Sequence, residues 1–298
     1  MTTLYYLTKR NCKLFFKDKG TFFTSLITPL ILLVLYATFL AKIYRDSFVS
    51  AMPVGFGVSD ALIDATVAGQ LISSLLAVSC VTVSFCSNLL MVQDKVNGAR
   101  RDLTVTPLRR DTLALSYFLG ATICTLIVNL VAYGACLLYL SGVGFYMSAG
   151  DVFAVLFDVV LLTLFGVAIS SCICFPLSTN GQATALGTIV SSVYGFICGA
   201  YMPISNFSDG LQKALSFLPG TYGTALLRNH AMRGVYAEMA DTGFPSAVID
   251  GIRDSIDCNV YFFGNAVSEG AMYAILCGSI AALLLLYVLL NVFCGKKR

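Results

Sequence analysis

The feature that most constrains this chain is a series of apolar runs. Each is about 20 residues or longer, enough to cross the ~30 Å hydrocarbon core of a bilayer. They fall near 21–41, 68–92, 112–140, 152–175, 182–202 and 270–294. The composition agrees, with 57% hydrophobic and only 12% charged residues and a mean hydropathy of +0.82; soluble domains carry about 25% charged residues. The expected fold class is an all-α integral membrane protein with six transmembrane helices. The 19 basic and 16 acidic residues are too evenly balanced for a nucleic-acid binder, and a single histidine, His230, leaves little room for imidazole or metal chemistry. Nearly all of the eleven cysteines lie in apolar runs and read as small hydrophobes. Cys258 stands apart in an extramembrane stretch.

Six spans place both termini on one side. That side collects Lys9, Arg10, Lys13, Lys17, Lys19, Lys95, Arg100, Arg101, Arg109, Arg110, Lys296, Lys297 and Arg298, which is 13 of the 19 basic residues. By the positive-inside rule it is the cytoplasm, so the expected location is the plasma membrane with cytoplasmic N- and C-termini. The first run is expected to be retained, since no clear small-residue cleavage site follows it. Residues 1–20 ahead of it place Lys9, Lys13 and Lys17, with Arg10, opposite Leu4, Leu7, Cys12 and Phe15 on a helical projection. This describes a helix on the inner membrane surface, or else a positive topology signal with no fixed helix. Residues 21–298 then form the six-span domain.

Within that domain, residues 93–107 have mixed charges and few apolar positions. They fit a short cytoplasmic helix that ends at Thr106, which is held extended by Pro107. Residues 203–269 are neither a span nor a simple loop. Helical spacing from Asn206 to Leu218, a break at Pro219-Gly220 and a second segment from Thr221 to Arg233 predict two short helices that re-enter the outer leaflet. Tyr236 to Ser268 is expected to form an exposed, acidic cap. In the fifth run Gly187, Ser191, Gly195 and Gly199 stand four apart, a small-residue ridge for close helix packing within the chain or across a dimer. Ser84 and Asn88 in the second run and Asn129 in the third either line a hydrated substrate path or hydrogen-bond between helices. Asp158 lies inside the fourth run, where a carboxylate costs about 3 kcal/mol to insert. It serves transport or gating there, or a structural ion pair or water contact.

The stretch Gly-Ala-Arg-Arg-Asp-Leu-Thr-Val-Thr-Pro at 98–107 resembles the cytoplasmic signature of ABC-2 type transporter permeases, a Gly-Thr followed by a leucine-rich stretch ending in Thr-Pro. A second match is stronger. Gly199-Ala-Tyr-Met-Pro203, Leu211-Gln212, Pro219, Thr221-Tyr222 and Leu227-Arg228 resemble the family's segment after the fifth span. Ala99, Val96 and Arg101 depart from the usual residues, and 235–268 is an additional stretch.

The resemblance implies a transport subunit that pairs with a second permease copy, identical or not, and with two cytoplasmic ABC ATPase subunits. Residues 93–107 would be the coupling helix, with Asn97, Gly98, Arg100, Arg101, Asp102 and Pro107 at the ATPase contact. It further implies export of drugs, antimicrobial peptides, lipids or lipid-linked glycans. The sequence supports the division of labour independently, since no Gly-x-x-x-x-Gly-Lys-Ser/Thr loop is present. No cofactor is expected in this chain, because ATP and magnesium would be held by the partner ATPase. An intramembrane enzyme would need a nucleophile with a base or a metal set, and the motifs for these are missing from the sequence. A passive channel fits the composition but leaves a docking-like cytoplasmic helix unexplained.

Overall fold

The computed structural model describes residues 2–51, 59–106 and 108–293. The chain opens with α1 (Thr2–Lys17) and α2 (Lys19–Leu35), which meet at a bend of 74°. The bend falls at Asp18, whose carboxylate accepts from the backbone N–H of Gly20 and Thr21 and so starts α2 as a new helix. A single π turn, Tyr36–Leu40, then leads into α3 (Ala41–Ala51). The turn seats Tyr36, which is fully buried, against Tyr44 with ring centroids 5.8 Å apart.

Next come α4 (Asp60–Val96), the short α5 (Ala99–Val105), α6 (Arg110–Val143) and α7 (Ala149–Cys174). The second, third and fourth apolar runs are the central parts of α4, α6 and α7. All three helices begin before the hydropathy signal does, and α4 and α7 show why: their ends are set by local chemistry. Ser59 caps α4 with its hydroxyl, and Gly98, in the left-handed region at φ 80°, ends the α4 segment after Asn97. Ser148 and Asp151 form a reciprocal capping box that starts α7.

The fifth run becomes α8 (Asn180–Ile197), which stops short of the expected 202 because Gly199 turns into the left-handed region at φ 69°. A 3-10 turn, Ile204–Asn206, precedes α9 (Asp209–Leu215). Pro219 is then the first residue of α10 (Pro219–Asp241), where its missing N–H costs nothing. This helix runs well past Arg233 and is buried along most of its length among α4, α7 and α12 (Glu269–Phe293).

The expectation of an exposed cap from Tyr236 onward therefore needs correction. α11 (Ser246–Ser255) and the hairpin β1 (Tyr261–Phe262) and β2 (Asn265–Ala266) lie there, but Tyr236, Met239, Phe244, Ile256 and Cys258 are buried together with Leu62 and Met232. The cause is visible in the pattern: Val248, Ile249 and Ile252 give α11 an apolar face that packs on this cluster, while its acids face outward.

α4 is the axis of the molecule. Its apolar middle is buried almost throughout, and α2, α6, α7, α8 and α10 all pack on it. Its serines and alanines allow that many neighbours to approach closely. Among the described residues, α4, α6, α7 and α12 are each long and apolar enough to cross a membrane. The α1–α2 pair passes the same test only if its two arms count as one span. α2, α6, α8 and α12 present large apolar side chains outward, among them Leu30, Val131, Ile189 and Leu285.

Candidate coupling helix and polar interior

α5 hangs between the ends of the two longest helices. Its first turn begins at Gly98, whose positive φ reverses the chain after α4. A Cβ there would meet nothing within 4 Å, so it is the backbone angle that calls for glycine, rather than a close approach inside this chain. Its last residue is followed by Thr106 in an extended conformation, as a residue before proline should be; Pro107 itself lies outside the described residues. The helix is shorter than the expected 93–107, because residues 93–96 belong to α4 and Asn97 is its C-cap.

The side chains of α5 divide by face. Leu103 packs inward, on the cluster containing Phe85, Val92 and Tyr287. Arg100 is also turned inward: its guanidinium lies over the Phe175 ring at 5.8 Å and donates to Asn291 Oδ1 of α12 at 3.4 Å. Arg101, Asp102 and Val105 point outward, Val105 being 81% exposed. The two neighbouring arginines thus have different surroundings, one a brace to the bundle and the other on the free face.

The junction that carries α5 is itself clamped. Arg10 of α1 donates two hydrogen bonds to Asp94 at 2.6 and 3.0 Å, Tyr117 of α6 donates a third at 2.6 Å, and Asn11 donates to the Ser116 carbonyl. Lys95, the next residue, donates to the carbonyls of Phe175 and Leu177 at the end of α7. Lys9, Lys13 and Lys17 are exposed and Phe15 is buried, as the projection of α1 requires. Arg10 departs from that projection: it turns toward Asp94, and α1 packs mainly along α6.

Deeper in the bundle the expected path residues all make interhelical or intrahelical bonds. Asn88 of α4 donates to Ser170 Oγ of α7 at 2.5 Å. Asn129 of α6 accepts from Ser79 at 2.7 Å and donates to Thr163 at 3.1 Å, tying three helices together. Ser84 bonds the Cys80 carbonyl one turn back. Asp158 is 1% exposed; Tyr273 of α12 donates to its Oδ1 at 2.6 Å, and His230 Nδ1 of α10 lies 2.5 Å from its Oδ2. The single histidine and the single acid within an apolar run therefore meet.

The small-residue ridge is divided. Gly187 has open space where a Cβ would stand, and Ser191 is half-buried on the same face. Gly195 is covered from within the chain: Tyr201 folds back so that a Cβ would lie 2.2 Å from its ring, and the Tyr201 hydroxyl donates to the Ser191 carbonyl. Gly199 lies beyond the helix end, and a Cβ there would meet Asp257 Oδ2 at 2.7 Å.

Behind Gly199 lies a charged pair that no motif or spacing in the sequence joins. Arg228 of α10, 1% exposed, donates to the Gly199 carbonyl and faces Asp257 at 3.4 Å. Asp257 also accepts from the backbone N–H of Ile204 at 2.5 Å and of Ser205 at 3.1 Å. Burial pushes its carboxyl above the ordinary carboxylate range, with Arg228 and the two N–H groups pulling the other way.

The fold is thus a multi-pass bundle of apolar helices with a short charged helix slung between α4 and α6. The family model of the ABC-2 type transporter matches residues 2–231, and the chain belongs to that family. It is accordingly a membrane transport subunit that works with an ABC ATPase and is not itself the ATPase. No curated protein matches the chain at a significant level. The family match ends within α10, so Asp257, the partner of Arg228, comes from the stretch beyond it.

Proposed function

We propose that this chain is the permease of an ATP-driven exporter in the plasma membrane. It would move a drug, antimicrobial peptide or lipid-like substrate outward by alternating access. In this reading two permease copies, identical or not, assemble with two ABC ATPase subunits that hold ATP and magnesium. Six crossings are then made by the α2–α3 run, α4, α6, α7, α8 and α12, with α1 on the cytoplasmic surface and both termini inside. The observation that carries the reading is α5: inside a chain of the ABC-2 family, it presents Arg101, Asp102 and Val105 away from a bundle to which Leu103 and Arg100 fasten it. ATPase movement at such a helix reaches α4, α6 and α12 directly. It shifts the balance of inward- and outward-facing states to the extent that it contacts the two states differently.

The apolar outer faces of α2 and α8 fit lipid or a second copy, with Gly187 and Ser191 on the uncovered part of the ridge. Export of a lipid-linked polysaccharide is the second substrate reading, as the resemblance to the family implies. The experiment is copurification of the chain with its ABC ATPase, followed by a screen for stimulation of ATP hydrolysis by members of each substrate class. Stimulation by one class identifies the cargo. A chain that conducts solute in vesicles with no ATPase and no ATP would be a passive channel instead.

A further inference from the structure

The outer halves of α7, α10 and α12 meet along two layers of polar contacts, one above the other. α7 contributes Asp151 and Asp158, two turns apart; α10 contributes His230 and Arg233; α12 contributes Glu269 and Tyr273. Spacings of seven, three and four residues put each pair on a single helix face. In the inner layer Asp158 holds His230 at 2.5 Å and Tyr273 at 2.6 Å, and the His230 and Tyr273 rings lie roughly parallel with centroids 6.4 Å apart. In the outer layer Arg233 faces Asp151 and Glu269, each at 3.5 Å. A recess of about 540 Å³ opens beside the outer layer, lined in part by Tyr146, Ser148, Asp151, Arg233 and Ala237.

The layers differ in the way a separable contact should. Arg233 and Glu269 are about half exposed, so water and salt screen their contact. Asp151 is buried but keeps the hydrogen bonds from the Ser148 N–H and hydroxyl when Arg233 leaves, so this layer separates at less cost than the inner one. Asp158 and His230 are buried, so their contact is strong while dry and becomes costly to leave unpaired unless water follows. The recess brings water to the outer layer first. Beyond these polar contacts, the outer half of α12 is held on α7 and α10 through Met272, Tyr273 and Leu276. Among the described residues, no titratable group of α4 or α11, which also pack on α10, is hydrogen-bonded to His230.

We propose that the layers Asp151–Arg233–Glu269 and Asp158–His230–Tyr273 form a two-stage latch that holds the outer end of α10 against α7 and α12. It opens from the recess inward as the transporter passes to its outward-facing state. The inference rests on the reading of the chain as an ATP-driven alternating-access permease.

The test uses the intact complex with its ATPase in lipid vesicles. Cysteines replace Arg233 and Glu269, and a short bis-methanethiosulfonate bridges them, with the bridge mapped by mass spectrometry. Bridging is expected to lower ATP hydrolysis at least tenfold, and a reducing agent is expected to restore it. If the unbridged pair is already inactive, Ser148→Cys with Ala237→Cys spans the same recess and takes its place. Spin labels at Ser148 and Ala237 are expected to move apart by several ångströms between the nucleotide-free and ATP–vanadate states. A bridged complex that hydrolyses ATP at the unbridged rate, or a label distance the same in both states, would show a permanent structural contact and overturn the latch. Failure of any ABC ATPase to copurify would overturn the exporter reading itself, and the two failures are distinguishable.

Discussion

Replacing Arg10 with methionine isolates the clamp that holds α1 on the coupling junction. Methionine keeps most of the aliphatic stem and removes the two hydrogen bonds to Asp94, whose side chain is 7% exposed. The stranded carboxylate would retain only the Tyr117 hydroxyl. Removing one partner of a buried pair costs about 3–5 kcal/mol. The Arg10 side chain is 31% exposed, so water recovers part of the loss and the lower end, about 3 kcal/mol, applies. For a chain of this size that lowers the unfolding midpoint by about 6 °C, at about 2 °C per kcal/mol. The assay is thermal unfolding of the purified protein in detergent, followed by loss of the monodisperse chromatographic peak. Adding Asp94→Asn removes the stranded charge and leaves an acceptor for Tyr117, so the double variant should recover to within about 1 kcal/mol, or about 2 °C, of the parent. If Arg10→Met alone shifts the midpoint by less than that, or if the double variant is as unstable as the single, the clamp is not an energetically coupled unit.

Three further outcomes follow from particular contacts. Gly195→Leu should destabilise the end of α8 by driving Tyr201 off its seat, about 2 kcal/mol or more, whereas Gly187→Leu should leave the isolated chain unchanged and act only on assembly; midpoints and native mass measured for both variants separate the effects. The raised Asp257 carboxyl means that the folded state binds its proton more readily than the unfolded one, so its contribution to stability is largest in acid and falls as pH rises through the carboxylate range. The midpoint of Asp257→Asn minus that of the parent should accordingly grow with rising pH, and a difference independent of pH would contradict the burial argument. Cysteines placed at the exposed positions Ser246 and Asn97 test orientation: an impermeant reagent outside intact cells should label the first and spare the second, and the reverse would invert every loop.

The helical class and the apolar centres of α4, α6, α7 and α12 were legible because a run of some 20 apolar residues has few other ways to be satisfied. Helix ends were not, since they depend on single groups such as Ser59, Gly98 and Gly199 that hydropathy averages over. α5 was visible from its charges and from Thr106 ahead of Pro107. The unequal roles of Arg100 and Arg101 were hidden, because they turn on Phe175 and Asn291, far away in sequence. The burial of Tyr236 and Cys258 was missed for a similar reason: the acids of α11 advertise exposure, while its apolar face is only a short half-turn pattern. Two pairings were not read from the sequence. Arg10 projects beside the lysines of α1 yet reaches Asp94, 84 residues on, and Asp158 meets His230, 72 residues on, so neither contact shows in local periodicity.

The central claim is that α5 is where the ATPase docks, with Arg101 and Val105 on the docking face and Arg100 turned back to the bundle. A photo-crosslinking amino acid placed in turn at Arg101, Val105, Arg100 and the outward-facing Leu138 of α6, in the assembled complex, tests it directly. Covalent capture of the ATPase subunit is expected from Arg101 and Val105, and none is expected from Leu138; the product from Arg100 should be internal to this chain. An intact complex in which Arg101 and Val105 capture no ATPase would contradict the assignment of α5 as the coupling element.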